Sequence, residues 1–146
     1  FRKVTVAAKE RKDRSGVHSS AIELADGTII TAETSSLLGP SAALILNAIK
    51  HLAGIDHKVK LISQDMIEPI QKTKLEILHG KNPRLHTDEI LIALSISAAN
   101  DEKARLALEQ LPKLKGCEVH STVMLSSVDE RVFKKLGTHL TCSPQQ

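Results

Sequence analysis

Apolar and polar positions change period along this chain, and each change marks an element. In "SAIELADGTIITAE" apolar residues alternate on both sides of Asp26-Gly27, which is the period of a strand. An Asp-Gly pair predicts a two-residue hairpin turn, where glycine tolerates the positive backbone angle. Pairing across it sets Leu24 opposite Ile29 and Ile22 opposite Thr31, with one face of the hairpin mostly apolar. The period lengthens in "TSSLLGPSAALILNAIKHLAG". Pro40 suits a first helical turn and Gly54 the end. Asn47, Lys50 and His51 share one i, i+3, i+4 stripe, so the rest of that helix is expected to be buried. "HKVKLIS" then reads as a short strand. Pro69 opens a further helix that Gly80 closes, with Ile70, Ile77 and Leu78 inward.

From Thr87 to Ala99 apolar residues lie all round a third helix, which predicts burial on most sides. Asn100 or Asp101 starts a fourth, with Ala104, Ala107, Leu108 and Leu111 in one stripe and Pro112 at its end. "CEVHSTVML" is a strand, "SVDERVFKKLG" a helix with Ser127 and Glu130 at capping-box spacing, and "THLTC" a last strand. Strand, helix and strand at this spacing predict a right-handed parallel crossover. Residues 1–19 read as a short strand, "FRKVTVAA", followed by "KERKDRSG", a charged linker in preference to a basic arm for phosphates. Residues 20–146 read as one globular domain. The predicted class is α/β, with α+β the alternative: a mixed sheet of a β-hairpin plus parallel strands, covered by about five helices.

Composition narrows the function classes. The 146 residues are 41% apolar and 25% charged, an ordinary soluble balance. With two Phe and neither Tyr nor Trp, the core must be aliphatic, and there is almost nothing on which to stack bases. A net charge of +3 is too mild to imply a polyanion, so no nucleic-acid partner is expected. The longest apolar stretch, Ile90 to Ala99, is too short for a bilayer, and no signal peptide is evident, so a cytoplasmic protein without a membrane partner is expected. Two cysteines are too few for a disulfide scaffold. The chain begins at Phe1 without Met, which fits a processed chain or a piece of a longer protein.

The densest reactive cluster is "NPRLHTDE", ahead of the third helix. Asp88 and Glu89 suit a helix N-terminus, where the macrodipole favours carboxylates and free amides need caps. A cap needs one or two polar residues, and this cluster has four. The functional reading makes His86, with Asp88 and Glu89, an acid, base or ligand, and Arg84 an anion clamp. Thr34, Ser35, Ser36 and Gly39 precede another helix start and could hold an anion, although no Gly-Lys-Ser/Thr P-loop core is present. Ser121 is a further anion-binding candidate, but on a strand it faces away from its neighbour His120, which argues against a nucleophile–base pair. Cys117, His120, His139 and Cys142 make a tetrahedral zinc set by type. Residues three apart on a strand point to opposite faces, so Cys117 and His120 are weak metal candidates and zinc is not expected.

"SSLLGPSAALILNAIK", "IEPIQ", "NPRLHTDEILIALSISAA", "LPKLKGCEVHSTVMLSSVDE" and "FKKLGTHLTC" resemble the C-terminal domain of a bacterial family of unknown function, over about Ser20 to Cys142. Arg84, His86, Asp88 and Glu89 match its "NPRLHTDE" run, and Cys117, Glu118, His120, Ser121 and Thr122 its "CExHST" run. His139 and Ser143 depart from it, where Asn and Glu are expected. The resemblance implies a long cytoplasmic parent with a Gly-rich, P-loop-like nucleotide segment upstream. Some members carry the name ATP-dependent zinc protease. Three functions follow as expectations. The domain lends the "NPRLHTDE" site to a nucleotide-dependent enzyme, with no cofactor of its own. Or it is an assembly module that packs on the upstream domain or on a twin copy as a homo-oligomer. Or it is a metal-dependent hydrolase.

Overall fold

In the computed structural model, which describes residues 2–144, four strands form one mixed sheet. They are β1 (Ser19–Glu23), β2 (Ile29–Glu33), β3 (Glu118–Ser121) and β4 (His139–Cys142), in spatial order β2-β1-β3-β4. β1 runs antiparallel to both neighbours, whereas β3 and β4 are parallel. The α-helices among the described residues are α1 (Lys3–Ser15), α2 (Pro40–Leu52), α3 (Gln64–Lys72), α4 (Thr87–Ala98), α5 (Glu102–Leu108) and α6 (Ser127–Leu136). This is the α/β class, with the hairpin and the parallel β3-α6-β4 crossover in place.

The additional helix is α1, where a strand and a charged linker were expected. Val4 and Ala8, one helical turn apart, pack on Ala21 in a small core of their own. The Lys, Arg, Glu and Ala residues around them are good helix formers, and they outweigh the β preference of "VTV". Gly16, at φ +77°, ends the helix and returns its N–H to the Lys12 carbonyl. Ala21 pairs with His120, so both lie on the α1 face of the sheet. Ile22 and Val119 face the other way, into the main aliphatic core with Ile45, Ile49, Leu94 and Phe133. There α2 and α6 touch the strands, and α4 packs behind them.

Several local expectations are corrected. The hairpin turn has three residues, Ala25 to Gly27: Leu24 N–H donates to Thr28 O, and Gly27 lies at φ +88°. The register therefore sets Ile22 opposite Ile30 and Glu23 opposite Ile29. Residues 57–63 form turns, not a strand. Lys50, expected on the exposed stripe, is buried, and its Nζ takes the His57 and Val59 carbonyls at 2.8 and 3.1 Å. α3 starts at Gln64 under a Ser63 cap, with Pro69 inside it, and runs into a π-helical turn at Thr73–Ile77. Ile77 and Leu78 then point outward, 68% and 70% exposed. α4 is not buried all round either: Ile92 and Ile96 are 63% and 60% exposed. The cap of α6 is Ser126, one residue earlier than expected, and it accepts from the Asp129 N–H.

Candidate anion-binding cleft

One edge of the sheet collects the chain's polar loops. The parallel strands β3 and β4 both end there, β2 ends there, and β1 begins there. Ligands of α/β sheets bind outside the carboxyl ends of parallel strands, where connections diverge and leave a crevice. At this edge lies a cleft of about 670 Å³. Lys12 and Gly16 from the end of α1, and His18 ahead of β1, form one wall. Thr34 and the start of α2, Arg84 and His86 ahead of α4, and Ser126 and Asp129 of α6 form the rest. Three helix starts thus meet one hollow. Each carries partial positive charge; amides of α4 and α6 are taken by Asp129, Asp88 and Ser126, whereas among the described residues no side chain caps α2.

The loop carrying Arg84 and His86 is zipped to the loop before α2. Leu85 N–H donates to Leu37 O at 2.9 Å, and Gly39 N–H donates to Leu85 O at 3.4 Å. Arg84 Nε donates to Ser35 O at 2.6 Å. From the π turn, Lys74 Nζ donates to Arg84 O at 2.6 Å and to Glu89 Oε1 at 2.8 Å. These contacts fix the position of the cluster without using the His86 ring.

Asp129 ties α6 to the start of α4. Its Oδ1 accepts from Thr87 N–H at 3.0 Å and from Thr87 Oγ1–H at 2.7 Å. Its Oδ2 lies 3.7 Å from His86 Nδ1. Thr87 is fully buried and Asp129 is 8% exposed, so this carboxylate acts in a dry setting. At this distance the two side chains approach as an ion pair without a hydrogen bond. His18 Nδ1 lies 3.3 Å from Thr122 Oγ1, which also accepts from Ser19 N–H. Partial desolvation, and then the charge of Lys12, hold His18 below the usual imidazole range.

The structure separates the predicted site residues. Arg84 and His86 line the cleft; Asp88, Glu89, Ser35, Ser36 and Ser121 do not. Asp88 accepts from the Glu89 N–H, and Glu89 accepts from the His86 N–H at 2.7 Å, so both serve the helix start. Ser35 Oγ accepts from Leu37 and Leu38 N–H, and Ser36 O accepts from Gln71. Ser121 Oγ is closed into a turn with Val123.

Cys117 sits in the main core and His120 on the α1 face, so the two diverge. His120 has both ring nitrogens engaged, with Thr141 Oγ1 at 2.7 Å and Ser143 Oγ at 2.9 Å. Burial, then Arg2, lower its pKa. Burial raises the thiol pKa of both Cys117 and Cys142. Among the described residues no three of His, Cys, Asp and Glu stand together as a metal site. No described helix is long and apolar enough to cross a membrane.

Sequence reasoning missed Lys12, His18 and Asp129. Lys12 lay in the stretch read as a linker in preference to a basic arm for phosphates. Asp129 is the third residue of α6, a position that reads as an ordinary capping carboxylate.

Comparison with known proteins gives this fold a family. The model described as "Domain of unknown function DUF1846, C-terminal" matches residues 1–146. A UPF0371 protein of Corynebacterium urealyticum is 58% identical over 144 residues, 99% of this chain and 29% of its own length. A UPF0371 protein of Streptococcus uberis is 47% identical over 143 residues, 98% of this chain and 29% of its own. The chain therefore spans about 29% of the length of the curated relatives it matches. It belongs to the DUF1846 C-terminal domain family of UPF0371 proteins.

Proposed function

We propose that this DUF1846 C-terminal domain binds a small phosphate- or carboxylate-bearing molecule in the cleft at the sheet edge. In the whole cytoplasmic protein the same cleft completes a nucleotide-dependent enzyme whose P-loop-like segment lies upstream. The observation that carries the reading is convergence: three helix starts and the side chains of Lys12, His18, Arg84 and His86 meet at one hollow, where Asp129 is the one lining carboxylate among the described residues. Arg84 offers a planar fork to an anion, and the uncapped start of α2 offers amides. His86, which lines the cleft with the Asp129 carboxylate 3.7 Å away, is the group placed to take or give a proton.

The test is calorimetric titration with phosphate, AMP and ATP on the wild type and on Arg84→Ala and Lys12→Ala. Micromolar to millimolar binding is expected, weakened about tenfold by each substitution, since a charge-assisted contact is worth roughly 1.5–3 kcal/mol. Absence of binding, or affinity indifferent to both residues, would overturn the reading.

A second reading, assembly, is favoured by a different observation. Ile92 and Ile96 lie one turn apart on α4 and are largely exposed, as are Ile77 and Leu78. In this reading that face packs on the upstream domain or on a twin copy. Sedimentation of the isolated chain, with and without Ile92→Lys and Ile96→Lys, decides it. A monomer in both, together with unaltered stability of the whole protein, removes it.

A further inference from the structure

The geometry points to a longer groove than the cleft alone, built for a ligand with two anionic groups joined by a spacer. This rests on the anion-binding reading above and sharpens it to a substrate class: a phosphorylated small molecule with a second phosphate or carboxylate at its far end.

A second hollow of about 660 Å³ adjoins the cleft beyond the end of β4. Lys12 and His18 line both hollows and so stand between them, while Lys9 lines only the second. Lys9 and Lys12 are i and i+3 on α1, neighbours on one helix face. Four of the basic residues of α1 and its cap bear on the two hollows or the sheet. Arg2 and Arg11 turn to the sheet and pair with Glu118 and Glu33 at 3.0 and 2.8 Å. Lys9 and Lys12 have no carboxylate within 4.0 Å among the described residues, although Asp13 lines the same hollow.

Unneutralised cations are ordinary on a convex surface. Here they face a concavity, beside the hydroxyl-bearing Thr122 and Ser143 that follow the two parallel strands. Arg84 and His86 stand on the cleft side only, so the cations fall into a near group, a shared group and a far group. A single phosphate can engage the near and shared groups. An anion held by Arg84 and His86 lies in the cleft, and Lys9, which lines only the second hollow, is then open to a second anion joined to the first by a spacer. Each hollow falls within the roughly 300–1,000 Å³ of small-molecule sites, so the pair has room for a sugar or nucleoside between the anions.

The test compares matched ligands on the full-length parent protein: fructose 6-phosphate with fructose 1,6-bisphosphate, and AMP with adenosine 3′,5′-bisphosphate. In at least one pair the bisphosphate is expected to bind about tenfold more tightly, as one added charge-assisted contact allows. Lys9→Ala should erase that advantage and leave monophosphate affinity within about twofold, whereas Arg84→Ala should weaken both members of a pair. Equal affinity within both pairs, or a Lys9→Ala loss shared equally by both ligands, overturns the two-anion groove and leaves the single anion site standing. Failure of all four ligands to bind overturns both.

Discussion

Replacing Asp129 with Ala should cost more stability than any other single change at the cleft. Its Oδ1 is the acceptor for two Thr87 donors, the amide at 3.0 Å and the hydroxyl at 2.7 Å, and Thr87 is fully buried. Truncation leaves both donors without a partner in a dry site. At roughly 1–1.5 kcal/mol each, that comes to about 2–3 kcal/mol. Asp129 also sits in the first turn of α6, where loss of a carboxylate costs a further ~0.5 kcal/mol. About 3 kcal/mol is therefore expected. With a urea slope near 1.5 kcal/mol/M, the unfolding midpoint should fall by about 2 M. Thr87→Val removes only the hydroxyl and should cost about 1 kcal/mol. Because the two side chains share a bond, the double variant should cost less than the sum, by about 1 kcal/mol. Asp129→Asn keeps an acceptor and should fall between wild type and Ala. A loss below about 1 kcal/mol for Asp129→Ala, or full additivity with Thr87→Val, would refute the claim that this carboxylate clamps α6 to α4.

Two further outcomes are open to measurement. His18 and His120 are both held below the usual imidazole range, by desolvation first and then by Lys12 and Arg2 respectively. The unfolded chain therefore binds more protons than the folded one as pH falls through about 6.5, so stability is full above that value and declines below it. Urea midpoints between pH 7.5 and 5.5 should fall, with a shallower slope in His120→Gln; a flat or rising profile contradicts the assignment. Lys50→Met should cost about 2 kcal/mol and speed amide exchange at residues 55–62, because both carbonyl contacts of Nζ are lost. Unchanged exchange there would show that the turn holds itself.

The class of the fold was legible because its strongest signals are periodic. Alternation around Asp26-Gly27 and the two strands flanking "SVDERVFKKLG" put hairpin and crossover in place. What misled was local chemistry with two outlets. "VTV" reads as a strand until Ala21 supplies a partner for Val4 and Ala8. Lys50 reads as exposed until the carbonyls of His57 and Val59 meet it. The site was half legible. Arg84 and His86 stood out by density, but the same density drew in Asp88 and Glu89, which do the capping that their position at a helix start favours. Lys12 and His18 come from one end of the chain and Asp129 from near the other, and only the meeting of strand ends at one edge joins them.

The pairing of β1 with β3 carries a kinetic consequence. Ser19 bonds Thr122 across 103 residues, and the β1–β3 pair, the one that joins the hairpin to the crossover, depends on that closure. Closing a loop of about 100 residues costs roughly 4 kcal/mol of chain entropy before any contact rewards it. On a ribosome, the hairpin and α2 emerge early, but the centre of the sheet has no neighbour until Thr122 leaves the exit tunnel. During that interval the β3-facing edge of β1 stands open, with its backbone donors and acceptors unpaired. Ser19 and Ser20 at one end of that edge, and Glu23 at the other, keep it polar. That is the composition an edge needs if it is to wait without aggregating.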